Sequence, residues 1–235
     1  MKKALILAAG LGTRLRPLTD SMPKPMLPIG GVPLLERLLR LLARHGVTDA
    51  AVNLHYFPEL VLSHFKDVDC GLRVRFSVEE ELLGTAGAVN GFPGFFDEPF
   101  FVLYGDVFTT AGLSAFSRDH ARLGGAATIG LYRVDNPCEC GLVDMDETGR
   151  IRRFVEKPPV AFTDLANAGI YALSPEVLDF IPASGFCDFG KDVFPAMLEK
   201  GLPMYGRPIE EYLIDIGSKA KYEKANRDFL EMGLG

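Results

Sequence analysis

The sequence predicts an α/β fold, a mainly parallel sheet covered by helices. Apolar runs of four to seven residues alternate with segments of helical period, and each run is bounded by Gly, Pro or charge. The turn cluster at 144–149, carrying Asp144, Asp146 and Gly149 between Leu142-Val143 and Ile151–Val155, predicts a β-hairpin that makes the sheet mixed. A chain of 235 residues at 48% hydrophobic and 24% charged suits one domain with a sizeable core.

Six runs read as strands because they are short, apolar or β-branched: Ala4–Ala9, Ala50–Asn53, Leu72–Ser77, Phe100–Tyr104, Ala126–Arg133 and Ala168–Leu173. Leu34, Leu35, Leu38, Leu41 and Leu42 share one helical face after Pro33, which suits a first turn, and Gly46 closes the pattern. Gly84-Thr85-Ala86-Gly87 reads as a loop entering a helix, and Lys219–Glu231 as a final helix. No repeat or Ser/Gly linker divides the chain, so residues 1–235 form one continuous domain. Within it, 1–106 is expected to serve mainly a nucleotide and 107–235 mainly a second substrate.

Composition excludes several classes. A net charge of −6 and a pI near 5.3 argue against a general nucleic-acid binder, because phosphate-backbone affinity needs surplus Lys and Arg. The opening Met1-Lys2-Lys3 with Ala4–Ala9 imitates a signal peptide, but Gly10, Gly12, Arg14 and Arg16 arrive where the apolar stretch should continue. No run approaches the roughly 18 apolar residues of a membrane span. Cys70, Cys138, Cys140 and Cys187 lack Cys-x-x-Cys spacing, so a reduced, cytoplasmic enzyme without a thiolate metal site is expected. Oligomeric state leaves no mark in the sequence.

The first strand runs into Gly10-Leu11-Gly12-Thr13-Arg14-Leu15-Arg16-Pro17, then Pro23-Lys24-Pro25 and Pro28. Glycines there let backbone N–H groups approach phosphate, and two arginines and a lysine supply the charge a triphosphate demands. A dinucleotide site would open similarly. However, Leu15 takes the third glycine position and the prolines forbid the helix that should follow.

The run Leu7–Thr19 with Pro23-Lys24-Pro25 resembles the signature of sugar-phosphate nucleotidyltransferases. Further motifs follow in that family's order: Glu81–Gly87, Tyr104-Gly105-Asp106, Phe154–Pro158, Asn167–Tyr171 and Asp215-Ile216-Gly217. The resemblance implies a Rossmann-like three-layer sandwich with a mixed, mostly parallel central sheet. It also implies an enzyme that joins a nucleoside triphosphate to a sugar-1-phosphate with Mg²⁺, releasing pyrophosphate. Asp106 and Asp215 would hold the metal. Arg14 and Lys24 would neutralise charge building on the phosphates, work worth on the order of 3 kcal/mol per well-aimed donor. Ala8, Ala9, Gly10, Gly12, Thr13, Gly84 and Thr85 would line the nucleotide. Glu81 would read the base, although a solvated acidic edge over Glu79–Glu81 explains those residues equally well. Lys157 would grip the acceptor phosphate, with Glu156 and Asn167 at sugar hydroxyls and Gly141 allowing close approach.

Asn53–Tyr56, Asp135–Pro137 and Phe154–Pro158 are similar to the branch that transfers guanylyl groups to mannose- or heptose-1-phosphate. A uridylyl- or thymidylyltransferase is the nearest alternative, and a catalytically silent sugar-nucleotide-binding regulator a more distant one. The chain ends soon after its last helix, so no β-helical or acyltransferase extension is expected.

Overall fold

The computed structural model describes residues 1–234, which divide into two compact units. Unit I comprises Lys2–Leu82, Leu103–Gly112 and the segment from Glu211; unit II comprises Met1, Leu83–Val102 and Leu113–Glu210.

Unit I opens with β1 (Lys3–Leu7), followed by a short hairpin of β2 (Pro28–Ile29) and β3 (Val32–Pro33), then α1 (Leu34–Arg44), β4 (Asp49–Leu54), α2 (Pro58–Phe65) and β5 (Arg73–Val78). β4 pairs in parallel with both β1 and β5, in registers that set Leu5 beside Ala51 and Val52 beside Phe76. Parallel neighbours need crossovers, and α1 and α2 supply them, which is Rossmann-like winding. The leucines of α1 that share a face in the sequence are buried, and Leu39 joins them. Each such side chain contributes about 1.5–3 kcal/mol when removed from water. The same helix buries Glu36, which accepts from Arg40 at 2.8 Å and meets His64 Nε2 at 2.9 Å.

Unit II begins with α3 (Gly84–Gly87). The strand β6 (Phe100–Tyr104) then carries the chain from unit II into unit I, where β7 (Val107–Thr109) follows. After α4 (Leu113–Leu123) come β8 (Ala127–Arg133), β9 (Gly141–Met145), β10 (Ile151–Glu156) and β11 (Leu165–Leu173). Next are a π-helical turn at Phe189–Val193, α5 (Phe194–Glu199) and β12 (Met204–Pro208). β13 (Leu213–Asp215) and α6 (Lys219–Met232) return to unit I. β9 and β10 form the hairpin expected at 144–149, and β11 pairs antiparallel with β8 and β9 while β12 runs parallel to β8. The fold is therefore α/β, its mixed sheet having mostly parallel central strands and flanking helices. Strand limits differ from the sequence reading by up to three residues, most at β11, whose start at Leu165–Asn167 pairs with β8. No helix among the described residues is long and apolar enough to cross a membrane.

One buried histidine links the helical layer of unit II to its strands. His120 on α4 is 3% exposed, with Nδ1 2.9 Å from Thr128 Oγ1 and Nε2 3.1 Å from Ser174 Oγ. Burial, helped by the N-terminal ammonium, pushes its pKa down to about 4. Between pH 6.5 and 4 the unfolded chain therefore binds a proton that the folded chain refuses. Stability is full above 6.5 and declines as pH falls through that window, by on the order of 3 kcal/mol. Denaturant midpoints measured from pH 7 to 4 should fall accordingly. His120→Gln, which cannot titrate, should flatten that part of the curve, and an unchanged pH dependence in the variant would contradict the assignment.

Candidate active site

The residues singled out in the sequence fall into a group in each unit. In unit I, Ala8 and Ala9 continue β1 as buried backbone, and the chain emerges at Gly10. The Ala8 N–H is held by Asn53 Oδ1 at 2.9 Å, and Asn53 Nδ2 donates to Glu79 Oε1 at 2.7 Å, a buried polar chain across β1, β4 and the end of β5. Gly12 adopts φ +65°, and a Cβ there would lie 3.0 Å from Thr19 Cγ2 and 3.1 Å from Lys24 Cβ. Only glycine fits that turn without displacement. Thr19 Oγ1 closes it by donating to Gly12 O at 2.8 Å. Thr13–Leu15 form a single 3₁₀ turn that buries Leu15 and leaves Thr13 and Arg14 facing solvent. Arg16 takes an exposed ion pair with Asp20 at 3.3 Å.

Prolines restrict the next stretch to another 3₁₀ turn, Lys24–Met26, which buries Lys24. Its Nζ donates to Asp106 Oδ2 at 2.5 Å. Gly105 lets the ends of β1 and β6 converge: its N–H donates to Leu7 O at 2.9 Å, and a Cβ would stand 2.6 Å from that oxygen. β13 pairs antiparallel with β7 so that Asp215 faces Val107, and the Ile216 N–H donates to Asp106 O at 2.8 Å. Asp106 and Asp215, remote in sequence, thus occupy neighbouring positions. Asp215 Oδ1 accepts the Gly217 N–H at 2.9 Å, and Oδ2 accepts from Lys221 Nζ. A Cβ on Gly217 would lie 2.5 Å from Asp215 Oδ1 and 3.2 Å from Arg14 Nη2, so Arg14 belongs to the same cluster.

Two carboxylates of this kind fit Mg²⁺, a hard cation that takes one or two protein carboxylates and completes its shell with phosphate oxygens and water. No group of three His, Cys, Asp or Glu side chains able to hold a metal occurs among the described residues. A pair of carboxylates leaves most of such a metal's shell to phosphate oxygens and water. Of the three successive glutamates, Glu79 is the buried one, its carbonyl 2.9 Å from His55 Nδ1, whereas Glu81 is exposed.

In unit II, Gly84 has φ +79°, and a Cβ would collide with Cys187 O at 2.4 Å. That oxygen accepts the Ala86 and Gly87 N–H groups at 2.9 and 3.0 Å. Thr85 Oγ1 donates to Asp188 Oδ2 and accepts the Phe189 N–H, both at 2.9 Å, while Asp188 Oδ1 caps the π-helical turn through Gly190 and Lys191 N–H. The turn carries the contact to Glu156. Gly190 and Gly141, the register partner of Glu156, each face its Oε2, where a Cβ would stand at 3.0 and 2.5 Å. Burial pushes the Glu156 carboxyl above the usual range; nearby Lys157 and Lys191 oppose that shift and Asp188 adds to it.

Lys157 follows with φ +48°, uncommon for a residue with a Cβ, its N–H held by Cys140 O at 3.0 Å and its side chain in solvent. Asn167 opens a bulge in β11, where Oδ1 accepts the Gly169 N–H at 3.0 Å and Nδ2 donates to Tyr171 Oη at 2.7 Å. Tyr171 packs 5.7 Å from Phe189 and 5.0 Å from Phe194, joining Asn167 to the Glu156 group through an aromatic core.

Asn53, Glu79, Asp188 and Lys221 were not among the sequence candidates. Asp188 had a signal, since an Asp two residues before Gly190 and ahead of an apolar stretch is a cap pattern. Lys221 lies six residues beyond Asp215 and reaches it from the first turn of α6, a contact that depends on how the chain turns from β13 into that helix. Gly84→Ala should lower stability by more than about 1 kcal/mol, since it combines positive φ with a backbone collision, and melting should fall by about 2–4 °C per kcal/mol. An unchanged melting temperature would show that the close approach of Gly84 to the Cys187 carbonyl is not needed for stability.

Comparison with known proteins shows the family. The family model described as Nucleotidyl transferase matches residues 3–232. The chain is 38% identical to a UTP–glucose-1-phosphate uridylyltransferase of Synechocystis sp., covering 97% of this chain and 63% of that protein. It is 39% identical to a probable mannose-1-phosphate guanylyltransferase of Oryza sativa subsp. japonica, covering 97% and 65%. It thus spans a little under two thirds of the length of these curated relatives. Among solved structures, HddC from Yersinia pseudotuberculosis complexed with GMP-PN matches with a TM-score of 0.81 at 31% identity, covering 97% of this chain and all of that one. The glycine-rich first loop, the carboxylates at the strand ends and a match over nearly the whole chain establish that this protein belongs to the nucleotidyl transferase family.

Proposed function

We propose that this chain transfers a nucleotidyl group from a nucleoside triphosphate to the phosphate of a sugar-1-phosphate, with GTP and a manno-configured acceptor as the leading pair. The observation that carries the reading is in unit I, where Lys24 holds Asp106, the β7–β13 pairing sets Asp215 at a neighbouring position, and Asp215 and Arg14 both lie against Gly217. An oxygen of the acceptor phosphate, already anionic, attacks the α-phosphorus; the new P–O bond forms as the bond to the β-phosphate bridge breaks, and pyrophosphate leaves. No protein nucleophile is required, so the chain's work is alignment and charge stabilisation.

Lys24 and Arg14 meet the charge that develops on the α-phosphate and the leaving pyrophosphate. Backbone from Ala8 to Thr13, held by Asn53 and Thr19, lies along the nucleotide, and Gly84 and Thr85 approach base and ribose, with Glu81 as a candidate acceptor for guanine N–H groups. Asp106 and Asp215 hold Mg²⁺, which when bound supplies further neutralisation of the phosphate oxygens. In the acceptor group, Lys157 takes the phosphate, Glu156 and Asn167 take sugar hydroxyls, and the bare face of Gly141 leaves room. Residues 1–106 would serve mainly the nucleotide and 107–235 mainly the sugar phosphate, a division by substrate rather than by packing.

The guanylyl preference draws support from the relatives of Oryza sativa and Debaryomyces hansenii, named as a probable mannose-1-phosphate guanylyltransferase and a mannose-1-phosphate guanyltransferase, and from the GMP-PN complex of HddC. The Synechocystis relative favours a second reading, uridylyl transfer to glucose-1-phosphate. Pyrophosphate release over a grid of four nucleoside triphosphates and several sugar-1-phosphates separates the two. GTP with mannose-1-phosphate should lead. Base preference should be sharper than sugar preference, because a site that hydrogen-bonds a base edge strongly rejects a base that leaves those groups unpaired. Dominant UTP turnover would replace the first reading by the second, and no release with any pair would favour a silent sugar-nucleotide binder.

A further inference from the structure

Both oxygens of Asp215 are engaged by this chain itself. Oδ1 holds the Gly217 N–H and Oδ2 the Lys221 ammonium. Lys221 reaches Asp215 from the first turn of α6, where the Ser218 cap accepts the Lys221 N–H at 3.4 Å. The lysine on the other carboxylate is placed differently. Lys24 has a side chain only 11% exposed and sits in a turn between two prolines, whereas the Lys221 side chain is 51% exposed on a four-carbon stem. Of the two ammonium groups, Lys221 is the one free to leave.

A divalent cation competes with the ammonium group for Asp215 Oδ2, and an ammonium that stays nearby repels it. Resting on the reading that Asp106 and Asp215 hold Mg²⁺, we infer that Lys221 is a resident counter-cation that competes with metal for Asp215 and is displaced from it when metal binds. It thereby weakens uptake of free metal by the unliganded protein. A metal arriving with a nucleotide brings surplus phosphate charge to which the released ammonium can turn, whereas a bare metal brings none. Lys221 thus favours entry of metal as its nucleotide complex over entry of metal alone.

The test uses Mn²⁺ alone as the probe, with free Mn²⁺ read by electron paramagnetic resonance during titration of the whole chain without nucleotide. Lys221→Gln should lower the Mn²⁺ dissociation constant about five-fold, the upper worth of a partly exposed ion pair. Lys221→Arg, which keeps the charge, should stay near wild type, and Asp215→Asn should lose most of the binding. Lys219→Gln removes an exposed lysine that pairs only loosely with Glu223, at 3.8 Å, and should change nothing. Equal tightening in Lys219→Gln or in Lys221→Arg would overturn the inference, the first by showing a general charge effect and the second by showing that the ammonium's charge is not responsible. Unchanged or absent Mn²⁺ binding in Lys221→Gln, with binding still lost in Asp215→Asn, would overturn it while leaving the carboxylate assignment intact. Wild-type binding in Asp215→Asn would overturn both.

Discussion

The pairing of β7 with β13 is three residues long, yet the site in unit I depends on it. It sets Asp215 opposite Val107 and ties Ile216 to the Asp106 carbonyl, so two carboxylates that would repel one another are held at neighbouring positions. That placement is tolerable because each carboxylate carries an ammonium partner, Lys24 on Asp106 and Lys221 on Asp215. Burying a lysine as deeply as Lys24 without such a partner would be costly, and a carboxylate left alone beside another would resist ionisation. Each carboxylate is thus balanced by a lysine of the chain itself. On the proposed reading those cations suit a polyphosphate, which also needs positive charge.

Around this balance the backbone is shaped by positions where a methyl group has no room. Gly12 turns the first loop over Thr19 and Lys24, Gly105 lets β6 close on β1, and Gly217 lies against Asp215 and Arg14. In unit II, Gly84 meets the Cys187 carbonyl while Gly141 and Gly190 cradle Glu156. The packing that fixes these contacts is conventional. Leucines of α1 back the parallel strands of unit I, and the Phe154, Tyr171, Phe189 and Phe194 rings support the turn beside Glu156. Rigid hydrophobic layers therefore carry loops whose polar groups are already aimed, which is the preorganisation that electrostatic catalysis requires.

Much of the fold was legible because its signals are local. The leucine face of α1, the β9–β10 hairpin and the strand Phe100–Tyr104 are written in residues adjacent in sequence, so period and turn chemistry suffice to find them. The first loop was legible for the same reason, its glycines, arginines and prolines lying in one run. What could not be read were the relations between distant segments. Asn53 as the support of Ala8 and Thr85 as the partner of Asp188 each join residues from separate elements. A run of three glutamates illustrates the limit: composition alone could not tell that Glu79 turns inward to Asn53 while Glu81 faces solvent, because only the register of β4 against β5 decides which side chain is buried.

The paired carboxylates are tested most directly by substitution that keeps shape and removes charge. Asp106→Asn and Asp215→Asn, each confirmed as folded by its circular dichroism and melting curve, should be assayed for pyrophosphate release under saturating substrates and Mg²⁺. Each should lose about two orders of magnitude or more in turnover, the scale seen when one well-aimed electrostatic group is removed from a catalytic site. Near-normal turnover in both variants would contradict the claim that the β7–β13 pairing exists to assemble a catalytic site.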